Sequence, residues 1–470
     1  MRVQLSLVRC FTTTLVIMEE KMVVSKKNIG LSFLLILFFL AQISGSPIQG
    51  ILIIAVMAIS FVLATQNNGL IYILLLLVLQ KGFQRVSTGG LYQFITYWDE
   101  IVQLFLLVWI LINLRKVRYL NKNMFVVLIV YLLHILMLII STVFYRYATP
   151  VKAVLDLFVS SKFMIFAFGG WLLIENDILD RDEFIFDLNR PFKILSVLLF
   201  ILTIVDVFVY PLFEKFDYRY FTESIQLCFV HPTYLAAVCI FGIAVLILGM
   251  PSNPNNMKYI ILYVVVTVLT FRTKAIGSIF LIMMVYMIFI KFKLTGKALI
   301  FAIMGGLVVY FSYGQIENYF GQNEFLSIRM KMMIDGIDIA NNHAPLGAGL
   351  ATFGTTVAYD SGSKFYYDYN YMSGYYEGQP VGDVFWPGIF AESGWIGTIF
   401  FAICVVWLVK IAYQKFSVDK YAAWSMLSIM IYAIVASTSE TAFFNPATAL
   451  MFFIYGIALS DNDKTNVTFE

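Results

Sequence analysis

Residues 124–143, MFVVLIVYLLHILMLIISTV, contain no charged side chain, and their polar groups are confined to Tyr131, His134, Ser141 and Thr142. The hydrocarbon core of a bilayer, about 30 Å thick, takes roughly 20 residues of this kind in one α-helix. The stretch therefore predicts a membrane-spanning helix. Runs of similar character recur at 29–44, 47–65, 69–80, 99–114, 151–174, 193–211, 231–249, 257–271, 274–291, 297–313, 388–410, 420–437 and 440–460. Backbone groups in lipid must be satisfied within helices or closed barrels, and these runs are too long and apolar for barrel strands. The expected fold class is all-α: a polytopic integral membrane bundle of about 12–14 spans.

Composition agrees, with 60% hydrophobic, 17% aromatic and 13% charged residues, which leaves no room for a separate soluble domain. The net charge of +3 is small, and the basic residues are dispersed over many connections, so nucleic acid is excluded as a partner. Cys10, Cys228, Cys239 and Cys404 show no metal-ligand spacing and read as small hydrophobes. Three widely separated histidines give no zinc site, and no cofactor motif is present.

Connections on the N-terminal side carry the larger share of the 32 Lys and Arg residues, including Arg115, Lys116, Arg118, Lys122, Lys291, Lys293 and Lys297. Cytoplasmic loops hold the basic excess, so both termini are expected inside. The chain then divides into a cytoplasmic segment 1–28, a bundle of about eleven helices over 29–313, an outer loop 314–387, C-terminal spans over 388–460 and a cytoplasmic tail 461–470. Met18 and Met22 offer internal starts within the first segment. No internal repeat is evident, which speaks against a secondary transporter.

The outer loop is too long for a simple connection and too aromatic for disorder. It carries Tyr319, Tyr359, Tyr366, Tyr367, Tyr369, Tyr371, Tyr375 and Tyr376. Within it, 324–340 predicts an amphipathic helix at the membrane surface, with Phe325, Ile328, Met332 and Ile339 near one face. Pro345 ends that helix, and Gly347 and Gly349 make the turn after it.

Four groups could carry chemistry. Arg272 and Lys274, at the outer end of a tight hairpin, are either snorkelling anchors or an anion site, since Arg offers a planar fork and Lys a point charge to phosphate oxygens. Arg329, on the loop helix, is either solvated or a second anion contact on the same face. Asp383, Trp386 and Glu392 lie where the loop re-enters the membrane. Glu392 reads either as a partner of the helix dipole or as a functional carboxylate at the mouth of a span. His231, before Pro232, is a structural cap or a substrate contact, and His134 is a core residue.

In order and spacing, the segments Arg272-Thr273-Lys274-Ala275, Arg329, Pro345-Leu346-Gly347-Ala348-Gly349, Asp383-Val384-Phe385-Trp386-Pro387 and Glu392-Ser393-Gly394-Trp395-Ile396-Gly397 resemble the O-antigen polymerase and ligase superfamily. They are most similar to its Wzy-type capsule and exopolysaccharide polymerases. The resemblance covers the chain from about Pro232 to the last helix. It implies a metal-independent glycosyltransferase without cofactors at the outer face of the bacterial cytoplasmic membrane. Both donor and acceptor would be undecaprenyl-diphosphate-linked glycans, with membrane lipid, a chain-length regulator and a flippase as further partners. Arg272, Lys274 and Arg329 would bind the diphosphate. Asp383 or Glu392 would be the catalytic base, and His231, Trp386 and Tyr376 would contact substrate. Ligase members carry a His near the position of Asp383, and this chain has none there, which favours polymerase over ligase. A lipid-linked sugar flippase is the remaining alternative.

Overall fold

The computed structural model describes residues 31–43, 48–53, 55–56, 59–60, 69–114, 122–219, 222–291, 306, 327–378, 381 and 384–460. The segment 1–28, the expected span 297–313 apart from Gly306, the first part of the outer loop, Asp383 and the tail 461–470 lie outside the described residues.

In chain order the helices are α1 (Leu31–Ile43), α2 (Gly69–Val78), α3 (Gln80–Val86), α4 (Gly89–Thr96), α5 (Trp98–Asn113), α6 (Lys122–Tyr145), α7 (Pro150–Ser160), α8 (Lys162–Glu175) and α9 (Arg181–Ile204). After a two-residue antiparallel ladder, β1 (Tyr218–Arg219) with β2 (Thr222–Glu223), come α10 (Pro232–Leu248), α11 (Asn256–Leu269), α12 (Thr273–Tyr286) and α13 (Ile328–Asn342). The short helices α14 (Thr356–Asp360) and α15 (Lys364–Asp368) follow, then α16 (Phe385–Gln414), α17 (Lys420–Ala436) and α18 (Pro446–Leu459). The described fold is all-helical apart from that ladder.

Four stretches are long and apolar enough to cross a membrane: Lys122–Tyr145, Arg181–Val209, Thr273–Lys291 and Phe385–Ser417. The count reaches seven if each of three bent pairs is one span, namely α2–α3 bent by 60°, α4–α5 by 44° and α7–α8 by 53°. These helices make the protein membrane-embedded. Among the described residues, the spans expected near 29–44, 231–249, 257–271, 420–437 and 440–460 fall to shorter helices such as the 14-residue α18, only about 21 Å long at 1.5 Å per residue. The helix expected over 193–211 begins at Arg181, because Asp180 caps it by accepting the N–H of Glu183 at 2.8 Å.

Packing follows the hydrophobic pattern. α10, α17 and α18 are apolar on every side and occupy the centre of the bundle. α5 and α6 turn large apolar side chains outward, among them Phe105, Ile112, Leu132 and Phe144. α8 and α18 approach backbone to backbone: a Cβ on Gly170 would collide with the carbonyl oxygen of Phe453, and one on Gly456 with that of Ala167. Small residues serve this purpose where lipid supplies no hydrophobic drive between helices.

Within the outer loop, α13 covers most of the predicted amphipathic helix but does not simply lie on a surface. Met332 and Ile339 are buried in a small core with Phe353, Phe365, Tyr366, Tyr371, Val381 and Val384, and Gly336 meets Pro387 at the start of α16. The loop aromatics give this segment a core of its own, which a helical wheel of 324–340 alone does not reveal.

Candidate functional site

The hairpin between α11 and α12 reverses direction through Phe271, which takes a left-handed φ of 50°, and the Thr270 hydroxyl donates to Thr267 O at 2.7 Å. Arg272 is thereby turned inward, with only 6% of its surface exposed. Its Nη2 donates to Asp217 Oδ1 at 2.9 Å, and its guanidinium lies 4.9 Å from the centre of the Phe216 ring. The His231 ring meets the same Phe216 edge-on at 4.4 Å, so two of the sequence-predicted residues share one aromatic contact. His231 caps α10, its Nδ1 accepting the Thr233 N–H at 3.1 Å. Lys274 pairs with Glu440 at 2.8 Å. Both cations of the motif therefore carry a carboxylate partner, and an arriving anion would have to compete with Asp217 and Glu440.

Glu440 belongs to the turn between α17 and α18. At the start of that turn Ser437 accepts the indole N–H of Trp386 at 3.1 Å. The Trp386 ring also lies against Phe385, Phe390 and Phe401. Arg272, Lys274, His231 and Trp386 thus gather at one end of the bundle, joined through Phe216 and the α17–α18 turn.

The glycine-bearing loop 346–354 is held at nearly every backbone N–H. Ala348 and Gly349 donate to the carbonyls of Ala391 and Glu392 at 2.7 and 3.0 Å, and Leu350 donates to Thr142 Oγ1 at 2.8 Å. Ala351 donates to Asp156 Oδ2 at 2.8 Å, and Gly354 to the Tyr366 hydroxyl at 2.9 Å. Thr352 and Phe353 both donate to Glu392 Oε1, at 2.9 and 3.3 Å. Glu392 and Asp156, both buried, thus hold adjacent N–H groups of the same loop. Gly394 takes φ 62°, and a Cβ there would collide with Leu346 O. The Pro345–Gly349 and Glu392–Gly394 motifs are two halves of one contact.

Glu392, read from the sequence as a base or a helix-dipole partner, stands here against the loop backbone. At 4% exposure, with one oxygen occupied by two N–H groups, it anchors the loop. Asp156, which holds the next N–H of the same loop, was not singled out in the sequence, although a lone carboxylate in the apolar run 151–161 is the signal to look for.

Tyr376 belongs to a cluster around Lys331 on α13. The Lys331 Nζ pairs with Asp335 at 2.6 Å and lies 4.5, 5.4 and 6.0 Å from the ring centres of Tyr371, Tyr376 and Tyr369. Tyr371 donates to Asp335 at 2.7 Å and Tyr369 to Asp338. Burial, followed by the bond to Asp335, pushes the Tyr371 phenol well up, so it stays a donor. Arg329 stands in the first turn of α13, half-buried. Asp383 is outside the described residues, but its neighbours Val381 and Val384 are buried in the loop core.

A second group was missed for the same reason as Asp156. Lys162, at the α7–α8 bend, pairs with Asp99 and, at 2.9 Å, with Glu100, both in the first turn of α5. Gln80, at the α2–α3 bend, donates to Asp99 Oδ1 at 2.7 Å and to Ile95 O at 2.8 Å. Three helix breaks thus converge on one charge cluster, each break leaving backbone groups for polar side chains to satisfy.

No family model matches this chain, and no curated protein sequence matches it. Among the described residues no three His, Cys, Asp or Glu side chains are grouped so as to hold a metal ion. Fold and site together define a helical, membrane-embedded protein with a polar, cation-bearing end.

Proposed function

We propose that this protein polymerises undecaprenyl-diphosphate-linked oligosaccharide repeat units into a capsular, O-antigen or exopolysaccharide chain. It acts as a bacterial cytoplasmic-membrane glycosyltransferase of 12–14 spans, with both termini inside and its working face outside. The observation that carries the reading is the gathering of the motif residues. Arg272, Lys274 and Trp386 adjoin one end of the bundle, and the loop motif 345–349 locks onto the Glu392–Gly394 segment.

In the proposed reaction a sugar hydroxyl of the acceptor attacks the anomeric carbon of the donor. The bond from that carbon to the diphosphate oxygen breaks, and undecaprenyl diphosphate leaves. Arg272, Lys274 and Arg329 bind the diphosphate and stabilise its growing charge, where charge-assisted hydrogen bonds are strongest. The hydroxyl proton passes to a carboxylate base. With Glu392 engaged as a loop anchor, that role is assigned to Asp383. The loop tyrosines offer ring faces to pyranoses and hydroxyls to their rims.

The test is the lipid-linked glycan profile of a strain lacking the protein. Single repeats accumulating on the carrier at the outer face support the polymerase. Long polymer retained on the carrier would indicate a ligase, and single repeats held at the inner face a flippase. An unchanged profile would overturn the carrier-lipid reading.

A further inference from the structure

The C-terminal end of α13 carries three planar polar side chains, Asp338, Asn341 and Asn342, all exposed and all tied down. Asp338 Oδ2 accepts from Asn342 Nδ2 at 3.1 Å and from the Tyr369 hydroxyl. Asn341 Oδ1 accepts the indole N–H of Trp395 at 2.9 Å. Each bond fixes one edge of a planar group and leaves another edge open. Among the described residues nothing bonds Asp338 Oδ1 or the two N–H groups of Asn341 Nδ2. An acceptor and a pair of donors, three positions apart on one helix face, are therefore held at the surface of the outer loop.

Aromatic rings lead up to this polar pair from both sides. Trp395, 37% exposed, lies 5.4 Å from Phe390, which lies 6.2 Å from Trp386, and each ring is inclined to the next by 32°. Phe385 and Phe401, which belong to the core, meet Trp386 at 83° instead. The first three rings thus form a run of similarly inclined faces along the start of α16, ending at Asn341. On the other side Tyr369 bonds Asp338 and lies 6.0 Å from the Lys331 ammonium, with Tyr376 at 5.4 Å from the same group. The path joins Trp386 to Tyr376, the two aromatic residues that the family resemblance assigns to substrate. It does so through Asn341, Asp338 and Tyr369, which stand in none of the motifs behind that resemblance. At its start, Trp386 donates to Ser437 in the turn that carries Glu440, the partner of Lys274.

The alternation of ring faces with fixed polar edges selects the occupant. A hydrocarbon chain would use the rings but would cover an open carboxylate edge and two amide N–H groups without satisfying them, which is costly. A pyranose has an apolar C–H face for each ring and vicinal hydroxyls, one to donate to Asp338 and its neighbour to accept from Asn341.

We infer that Trp386, Phe390, Trp395, Asn341, Asp338 and Tyr369 form a glycan track, along which the oligosaccharide of the substrate lies with its reducing end towards the Lys274 end of the bundle. The inference rests on the proposed function and adds to it where the sugar chain runs and which polar residues read its hydroxyls.

The probe is oligosaccharide prepared by partial hydrolysis of the polysaccharide of the strain that makes the protein, one to several repeats long and free of the carrier. It is titrated into the full chain in nanodiscs of zwitterionic lipid. The wild type is expected to bind saturably, and longer chains more tightly. Trp395→Ala and Asn341→Ala should each weaken binding about three- to tenfold, the scale of one ring contact or one hydrogen bond, with melting unchanged. Trp395→Phe, which keeps a ring, should bind better than Trp395→Ala. Ile399→Ala, at an exposed apolar position one turn further along α16, should bind like the wild type. Wild-type affinity in both Trp395→Ala and Asn341→Ala, or no saturable binding by the wild type, would overturn the track and leave the proposed function standing. A loss in Ile399→Ala as large as in Trp395→Ala would overturn it in favour of aromatic anchoring at the membrane surface. An unchanged lipid-linked glycan profile in a strain lacking the protein would overturn the proposed function and the track together. Should Trp395→Ala fail to fold, hydroxyl-radical labelling of the wild type decides: the oligosaccharide protects Trp395, and labelling at an unchanged rate overturns the inference.

Discussion

Arg272 is a buried cation already held by Asp217 and Phe216, so its removal does two things that can be separated. Arg272→Ala should abolish polymer while the protein remains in the membrane at normal level; normal polymer length and yield would remove Arg272 from the mechanism. Asp217→Asn, which frees the guanidinium of its competitor, should by contrast preserve or tighten diphosphate binding. Tighter or equal binding, measured by titration, fits an anion site, whereas a loss as large as that of Arg272→Ala would fit a purely structural pair. Glu392→Ala strips the buried N–H groups of Thr352 and Phe353 of their acceptor. A loss of about 3 kcal/mol follows from unsatisfied buried groups, and a thermal melt reads it. The outer loop motifs made Glu392 visible in the sequence, but not its role. Whether a carboxylate faces a cavity or a neighbouring backbone depends here on Thr352, a partner 40 positions away by number, and no local pattern encodes it.

At the scale of elements, the long uninterrupted helices were legible and the bent ones were not. α6 extends two residues beyond each end of the apolar run 124–143, because nothing within that run breaks it. The runs near 69–80 and 151–174 read as straight spans, yet each bends where a polar residue, Gln80 or Lys162, finds a partner on α5. Periodicity reports which residues are apolar and says little about such tertiary pull. The α16–loop contact makes its own prediction. Gly394→Ala imposes both a left-handed φ and a collision with Leu346 O. It should cost about 1–3 kcal/mol or more and expose 346–378 to proteolysis, with the cleavage pattern of the wild type as the contrary result. The Asp419 cap of α17 gives a pH signature. Hydrogen bonds from Ala422 and Arg181 hold its carboxyl below the usual aspartate range despite partial burial. A depressed native pKa contributes stability above the unfolded value of about 3.9 and loses it as pH falls through the native one. Asp419→Asn should therefore lower Tm at neutral pH, and the gap should close in acid; a pH-independent gap would mean that the charge contributes nothing.

For the whole molecule, composition alone carries the membrane assignment, since the all-round apolar α10, α17 and α18 can be buried only at the centre of a larger bundle. The end of the bundle where chemistry is proposed is assembled from four separate regions: the connection bearing Phe216 and His231, the α11–α12 hairpin, the α17–α18 turn and the start of α16. The C-terminal contributors were legible through their motifs. Asp99, Asp156 and Lys162 were not, because isolated charges in apolar runs look alike until the fold shows which of them converge. The central claim, that this assembly joins glycans on a diphosphate carrier, is tested most directly by reconstitution. The purified chain in proteoliposomes is given one undecaprenyl-diphosphate-linked repeat unit from the strain that makes it, and the products are separated by size. The account predicts a ladder of multiples still attached to the carrier, with free undecaprenyl diphosphate released in step and both absent for Arg272→Ala. Unextended single repeats in the presence of folded wild-type protein would contradict it.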